Sequence, residues 1–475
     1  MTDENRGIEP RRFTGAGSPA AAPSSDTADL AVVNGVPNPA PLGVRDLFRI
    51  RPFRLLWGGQ LVSEAGDGLT NLALLLLVNA LTGSTAALAA MAIVLAIPPL
   101  TIGLIAGTYV DRFDRRRIML ASDLLRAFIV PGFILVGSSG TLWLLYVLAF
   151  VQSSVGTFFA PARGAILPRV VPTHGLLAAN SLAQATRVIS SVLGAALAGV
   201  IVGGFGAYWP AFVLDSVSFL ASFALILRMP SHVGRVEPSD NPAAGVRGSL
   251  GAGLRTVGRS RVLGTTIVAL AISMLGLGAV NVLFVPLVVT VLAVGPAWLG
   301  PIELAQSSSM ILAAGLITVL ARRLSPTTIV AVGMAGIAVT ISLVAAIDAV
   351  WQLLALLFLA GWFVVPLQAA VVTLLQQRTP DGERGRVMSV LQAAMSGAGV
   401  LSMGFAGLLG DAIGIREVFL LGGAVTGIGF VVAVIGYRTD RAQSQAAAGA
   451  PTPSTAEPID APSSTAPGRE APTPV

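Results

Sequence analysis

From Leu55 to Tyr437 the chain alternates long apolar runs with short polar interruptions, and the runs are too long for the core elements of a water-soluble domain. A helix rises ~1.5 Å per residue, so crossing ~30 Å of hydrocarbon takes about 20 residues. Twelve runs reach that length, at 55–81, 85–110, 118–138, 141–162, 176–203, 209–228, 262–291, 298–321, 326–347, 350–376, 387–410 and 416–437. The pattern predicts an all-α membrane protein of twelve transmembrane helices. Pro98, Pro286 and Pro366 fall inside runs and predict kinks, because proline removes a helix hydrogen bond.

Composition agrees, with 54% hydrophobic and 11% charged residues, and the placement of the charges adds an orientation. Taking alternate connections, one side holds Arg45 to Arg54, Arg112 to Arg117, Arg163, Arg169, Arg228 to Arg261, Arg322, Arg323, Arg378 to Arg386, Arg438 and Arg441. The other side holds Arg416 alone. Basic residues stay cytoplasmic, so a multi-pass protein of the plasma or inner membrane is expected, with both termini in the cytoplasm. Residues 1–44 and 439–475 are rich in Ala, Pro, Ser and Thr without periodicity and are expected to be disordered tails. The net charge of +6 is spread through these loops, which argues against a nucleic-acid partner.

The chain also echoes itself. "VPTHGLLAANSLAQA" at 171–185 is followed 208 residues later by "TPDGERGRVMSVLQA" at 379–393. Pro172, Ser181, Gln184, Ala185 and Gly199 recur as Pro380, Ser389, Gln392, Ala393 and Gly407. "GLIA" at 103 and "GLIT" at 315 repeat at an offset of 212. Two six-helix bundles, 45–228 and 261–438, joined by a cytoplasmic linker at 229–260, form the repeat plan of transporters that rock one half against the other.

Several function classes drop out. There is no cysteine, and the two histidines, His174 and His232, lie far apart in connections, so no metal centre or cofactor is expected. An ATP-driven pump needs G-x-x-x-x-G-K-[ST], and the chain has no lysine. No converging nucleophile and base suggest an enzyme. A membrane sensor or scaffold, the alternative outside transport, calls for a folded soluble domain, which the tails do not offer.

The polar residues inside the runs carry the chemistry. In "GQLVSEAGDGLTNLALL", Gln60, Glu64, Asp67 and Asn71 are spaced four, three and four apart and share one helix face. Charged groups near the bilayer centre cost ~2.5 to 3.5 kcal/mol each on insertion scales, so this stripe must face a cavity or partners. It can bind a proton or a cationic substrate, or serve structural hydrogen bonding and packing. Arg187, a helical step from Gln184, is a candidate partner for a helix-one carboxylate. Glu303 and Gln306, at the start of the eighth run, are candidates for coupling or substrate contact, with a helix-dipole contact as the structural alternative for Glu303. Asp123 and Arg126 stand one turn apart on the third run and can pair with each other. Asp215, Asn281, Gln152 and Gln368 are cavity or packing residues that spacing does not separate.

"GTYVDRFDRRR", at 107–117, resembles the loop signature G-x-x-x-D-R-x-G-R-R of the major facilitator superfamily, between the second and third helices as that family requires. "FRLLWGGQLVSEAGDGLTNLALLLLVNALTGS" and "FFAPARGAILPRVVPTHGLLAANSLAQATR" resemble its branch of macrolide-efflux and enterobactin-export proteins. The match places the signature on Gly107, Asp111, Arg112, Arg115 and Arg116, with Asp114 where the family has glycine. The resemblance implies a gate, in which Asp111 meets the start of helix eleven near "RGRVM" and the Asp123–Arg126 pair extends the network. "GAALAG" lacks the proline of the family's exporter motif in helix five. The implied function is a secondary transporter, a proton-coupled exporter of amphipathic small molecules working by alternating access. A siderophore or lipid carrier of the same fold is the alternative. A small-molecule substrate, protons and membrane lipids are the expected partners of a functional monomer.

Overall fold

A computed structural model describes residues 42–234, 246–380 and 383–449 of the 475-residue chain. Among these residues every regular element is helical. The first half contains α1 (Arg51–Thr82), α2 (Thr85–Thr101), α3 (Gly103–Arg112), α4 (Arg115–Ile129), α5 (Leu142–Gly156), α6 (Phe159–Val170), α7 (Leu176–Phe205) and α8 (Trp209–Leu227). The connection between halves carries α9 (Val246–Arg259). The second half contains α10 (Arg261–Pro286), α11 (Leu299–Arg323), α12 (Pro326–Val344), α13 (Val350–Arg378), α14 (Arg384–Ile413) and α15 (Ile415–Gly449).

Ten helical stretches among the described residues are long and apolar enough to cross a membrane. The two remaining predicted spans are occupied by α2 with α3 and by α11, so the order of elements follows the expected twelve. Proline explains most of the differences. Pro98 and Pro99 lie in the last turn of α2, and the predicted 85–110 helix is interrupted at Ile102 before resuming as α3. The third run tightens into a 3-10 helix at Val130–Leu135, with Pro131 in its first turn. Pro286 closes α10 and is followed by a π-helical turn at Leu287–Val291, whereas Pro366 sits within the continuous α13. At the other end, α15 runs to Gly449, past the boundary expected at 438.

Local chemistry sets the helix starts. Asp114, Ser260 and Ser325 accept hydrogen bonds from the backbone N–H groups of Arg117, Leu263 and Thr328, three residues on. Gly83 and Gly206 end α1 and α7 at φ 61°, a left-handed conformation that costs glycine little. Packing then builds two bundles. α1 is held between α7 and α8, and α4 packs on α8; α10 is held between α14 and α15, while α13 packs on α11 and α12. The halves meet where α14 crosses α2 and where α7 crosses α11. Large apolar side chains such as Phe128, Leu135, Trp143 and Leu408 remain exposed on the outside, as a lipid-facing surface requires.

Candidate functional site

The stripe on α1 is placed by small residues on the opposite sides of the same helix. A side chain at Gly59 or Gly66 would press on Ser222, or on Ser218 and Asp215, of α8, and one at Gly194 of α7 would strike the α1 backbone at Gly68. These close approaches turn the polar face toward α4 and α6. Gln60 is buried, and its Nε2 donates to Glu64 Oε1 at 3.1 Å and to the Ala183 carbonyl at 3.5 Å. Arg163 of α6 donates from Nη1 to the same Glu64 oxygen at 2.9 Å. Glu64 Oε2 is buried without a hydrogen-bond partner. Asn71, at the far end of the stripe, is exposed.

Asp67 joins a second cluster. Arg126 Nη1 donates to Asp67 Oδ2 at 3.1 Å, and Arg126 Nη2 donates to Asp123 Oδ1 at 2.7 Å. Ser222 donates to the other Asp123 oxygen at 2.6 Å. The guanidinium lies 4.1 Å from the ring centre of Phe219 and 5.2 Å from that of Phe159, so aromatic faces cover what the carboxylates leave. Asp67 is 35% exposed while Asp123 is 0% exposed, so Asp67 is the member of this cluster that opens outward. Asp215 of α8, fully buried behind Gly66, accepts from Ser218 at 3.2 Å. Three carboxyls, those of Glu64, Asp67 and Asp123, thus share two guanidiniums, and Asp215 stands beside them with a serine partner.

The expected partnership of Arg187 with a helix-one carboxylate is not formed. Arg187 is exposed on α7, and Arg126 and Arg163 hold the two stripe carboxylates instead. Ser191, one turn on from Arg187, donates to Glu303 of α11 at 3.3 Å, a contact with the other half. Gln306 is half-buried on the same helix. The run pattern places Arg163 in the connection just after the fourth run, whereas it lies on α6. The signal that it is helical was the continuing apolar character of "GAILPRV", which α6 contains.

The 107–117 segment divides its work. Asp114 caps α4, which accounts for an acid where the family signature has glycine. Arg116 donates from Nε to the Ile226 carbonyl at 3.2 Å and from Nη2 to the Leu227 carbonyl at 2.6 Å, closing the C-terminus of α8. Arg112 is exposed, Arg115 is half-buried, and Gly107 has open space where a side chain would stand. The Asp111 side chain lies outside the described residues. α3 packs on α4 and α6 of its own half, while Thr256 of α9 donates to Glu383 at the start of α14 at 2.7 Å.

The crossings between halves lie toward the arginine-poor ends of the helices. Gly407 of α14 abuts Ala89 and the Thr85 carbonyl of α2; Gly199 of α7 abuts the Pro296 carbonyl just before α11. The residues paired by the sequence repeat therefore occupy the two matching contacts. At one contact Asp411 of α14 accepts from Ser84 Oγ at 2.6 Å, Thr85 N at 2.7 Å, Thr85 Oγ1 at 2.8 Å and Ala86 N at 3.1 Å. A carboxylate from one half thereby caps a helix of the other. Asp411 is not among the residues that spacing or the loop signature singles out. The signal for it is an acid just past the 387–410 run and a "GST" turn before the 85–110 run, at the same membrane side.

Residues 46–465 match the family described as transmembrane secretion effector. Over 392 residues the chain is 28% identical to the multidrug efflux pump Tap of Mycobacterium tuberculosis, covering 78% of this chain and 89% of that one. It is 26% identical over 393 residues to macrolide efflux protein A of Streptococcus pyogenes, covering 78% and 93%. In fold it is similar to a bacterial homologue of the iron transporter ferroportin in an inward-facing state, at TM-score 0.66 and 15% identity, covering 82% of this chain and 98% of that one. With two bundles meeting at repeat-related glycines and the loop signature between its second and third spans, the chain belongs to the transmembrane secretion effector family of major facilitator superfamily transporters.

Proposed function

We propose that this protein is a proton-coupled exporter of amphipathic small molecules. The observation that carries the reading is the acidic cluster of the first half, where four carboxyls gather around two guanidiniums, three of them ion-paired and Asp215 not, beside a face open to solvent. Ionising every one of them away from bulk water is costly, so the surplus acid favours uptake of a proton or a cation. Binding changes the balance between two carrier states only if affinity differs between them, and a proton that competes with Arg126 for Asp67 supplies such a difference.

In this reading the arginine-rich end faces the cytoplasm. The crossings at the opposite end then close the protein toward the outside and leave the stripe open inward, the state that loads an exporter. Asp111 would form the corresponding closure at the cytoplasmic end after the halves rock. The export direction rests on the named activities of the two curated relatives. The test is transport in proteoliposomes with an imposed pH gradient and a panel of cationic, neutral and acidic amphiphiles. Uphill movement of at least one compound, abolished when the gradient is collapsed, is the expected result. Transport indifferent to the gradient would sink proton coupling.

A further inference from the structure

The four carboxyls of the first half are not equivalent. Glu64, Asp67 and Asp123 each lie within ion-pair distance of a guanidinium. Asp215 has none among the described residues; Oδ1 accepts from the Ser218 hydroxyl, and Oδ2 is buried without a partner. It is 0% exposed, on the side of α8 that Gly66 allows against α1. Thr70 faces it from α1, its buried hydroxyl turned toward the carboxyl but not in a close hydrogen bond with it.

Deep burial without a cation is an expensive place for a carboxylate and an acceptable one for a carboxylic acid, which carries its own donor. The charged groups around it are few. From α1 it faces Asp67, with Glu64 one turn further along; from α4 it faces Arg126, whose guanidinium is committed to Asp67 and Asp123. The 3-10 helix Val130–Leu135, which also packs on α8, contributes no titratable side chain.

Building on the proton-coupled reading, we propose that Asp215 is the residue that holds the coupled proton, and that Asp67 is its door to the cleft. A proton reaching Asp67 forms an O–H bond there and breaks the ion pair with Arg126. Passing it on breaks that bond and makes another at Asp215 Oδ2, so Asp67 returns to carboxylate and regains Arg126. The stored proton is then screened from the cleft, and the exposed pair is again ionic. Discharge runs through the same two groups in reverse.

Two measurements on the reconstituted full chain test this. In the parent, acidification should add the infrared C=O stretch of a buried protonated carboxyl. The band should be missing from Asp215→Asn, and in Asp67→Asn, where the door is gone, it should rise more slowly after acidification than in the parent. In Asp215→Asn, uphill transport driven by a pH gradient should fall to the gradient-free level. Asp215→Glu, which keeps the carboxyl, should retain uphill transport with a displaced pH profile, and it serves should the amide variant fail to accumulate. A band that survives in Asp215→Asn, uphill transport by that variant at the parental rate, or a parental pH profile in Asp215→Glu would each overturn the assignment. A parent that ignores the gradient altogether removes proton coupling and this assignment together, before any variant is compared.

Discussion

At the scale of single residues, Arg126 carries the most. It neutralises one fully buried carboxylate and one partly open to solvent, and it is covered by two aromatic rings. Arg126→Leu leaves Asp123 buried without its cation, a change that costs ~3 to 5 kcal/mol when one partner of a buried pair is removed. We expect a clear fall in thermal stability of the purified protein, partly restored by adding Asp123→Asn, because the second change removes the stranded charge. Failure of the double variant to recover any stability would mean that the guanidinium acts through its ring contacts. The two stripe carboxylates should separate by function. Asp67→Asn should abolish uphill efflux while substrate binding stays measurable, since the door to the cleft no longer accepts a proton. Glu64→Gln should weaken binding most for cationic compounds, because the amide keeps the shape and loses the charge. Equal uphill pumping by both variants and the parent would make the stripe structural.

At the scale of elements, Asp411 on α14 is seated on the start of α2, and residue 111 is the last but one of α3 toward the other end of the molecule. If they close opposite ends, removing their charges should push the halves in opposite directions. With no native cysteine, a cysteine at exposed Asn71 reports the cleft without background. Asp411→Asn should lower its labelling by a reagent supplied from the arginine-rich side, and Asp111→Asn should raise it. Shifts of the same sign would reject the opposed pair. Much of this level could be read in advance. Helix existence, the shared face of Gln60, Glu64, Asp67 and Asn71, and the equivalence of Gly199 and Gly407 follow from periodicity and repetition, which are properties of the chain itself. The partners of those residues do not. Arg163 and Asp411 reach their contacts across 99 and 325 or more residues, and spacing carries no information about which helices will lie side by side. Arg187 points away from helix one for the same reason, since the position of a group along a helix is legible while its direction toward a neighbour depends on packing.

For the whole molecule, orientation is the first quantity to fix. Exposed Ser139 and Ser231 lie on opposite sides by the arginine distribution. Cysteine at 139 should react with an impermeant thiol reagent applied to intact cells, and cysteine at 231 only after the membrane is opened. The reverse pattern would turn the transporter, and the direction of every step assigned to it, upside down. Beyond orientation, among the described residues the buried ion pairs belong to the first half. The second half fills its interior with hydroxyl contacts such as Thr266 to Tyr437 and Ser402 to Gly278. When the halves rock, charge fixed inside the membrane therefore travels with the first bundle and is not matched by an opposite movement in the second. A full elementary charge crossing 100 mV exchanges ~2.3 kcal/mol with the field, and partial crossing exchanges a proportional share. The carrier should consequently sense membrane potential as well as pH. With its acids ionised, the bundle is more negative and is drawn one way by voltage; once protonated, it is released from much of that pull. Return of the empty carrier should be the voltage-dependent step, readable as a transient current in a membrane that holds no substrate.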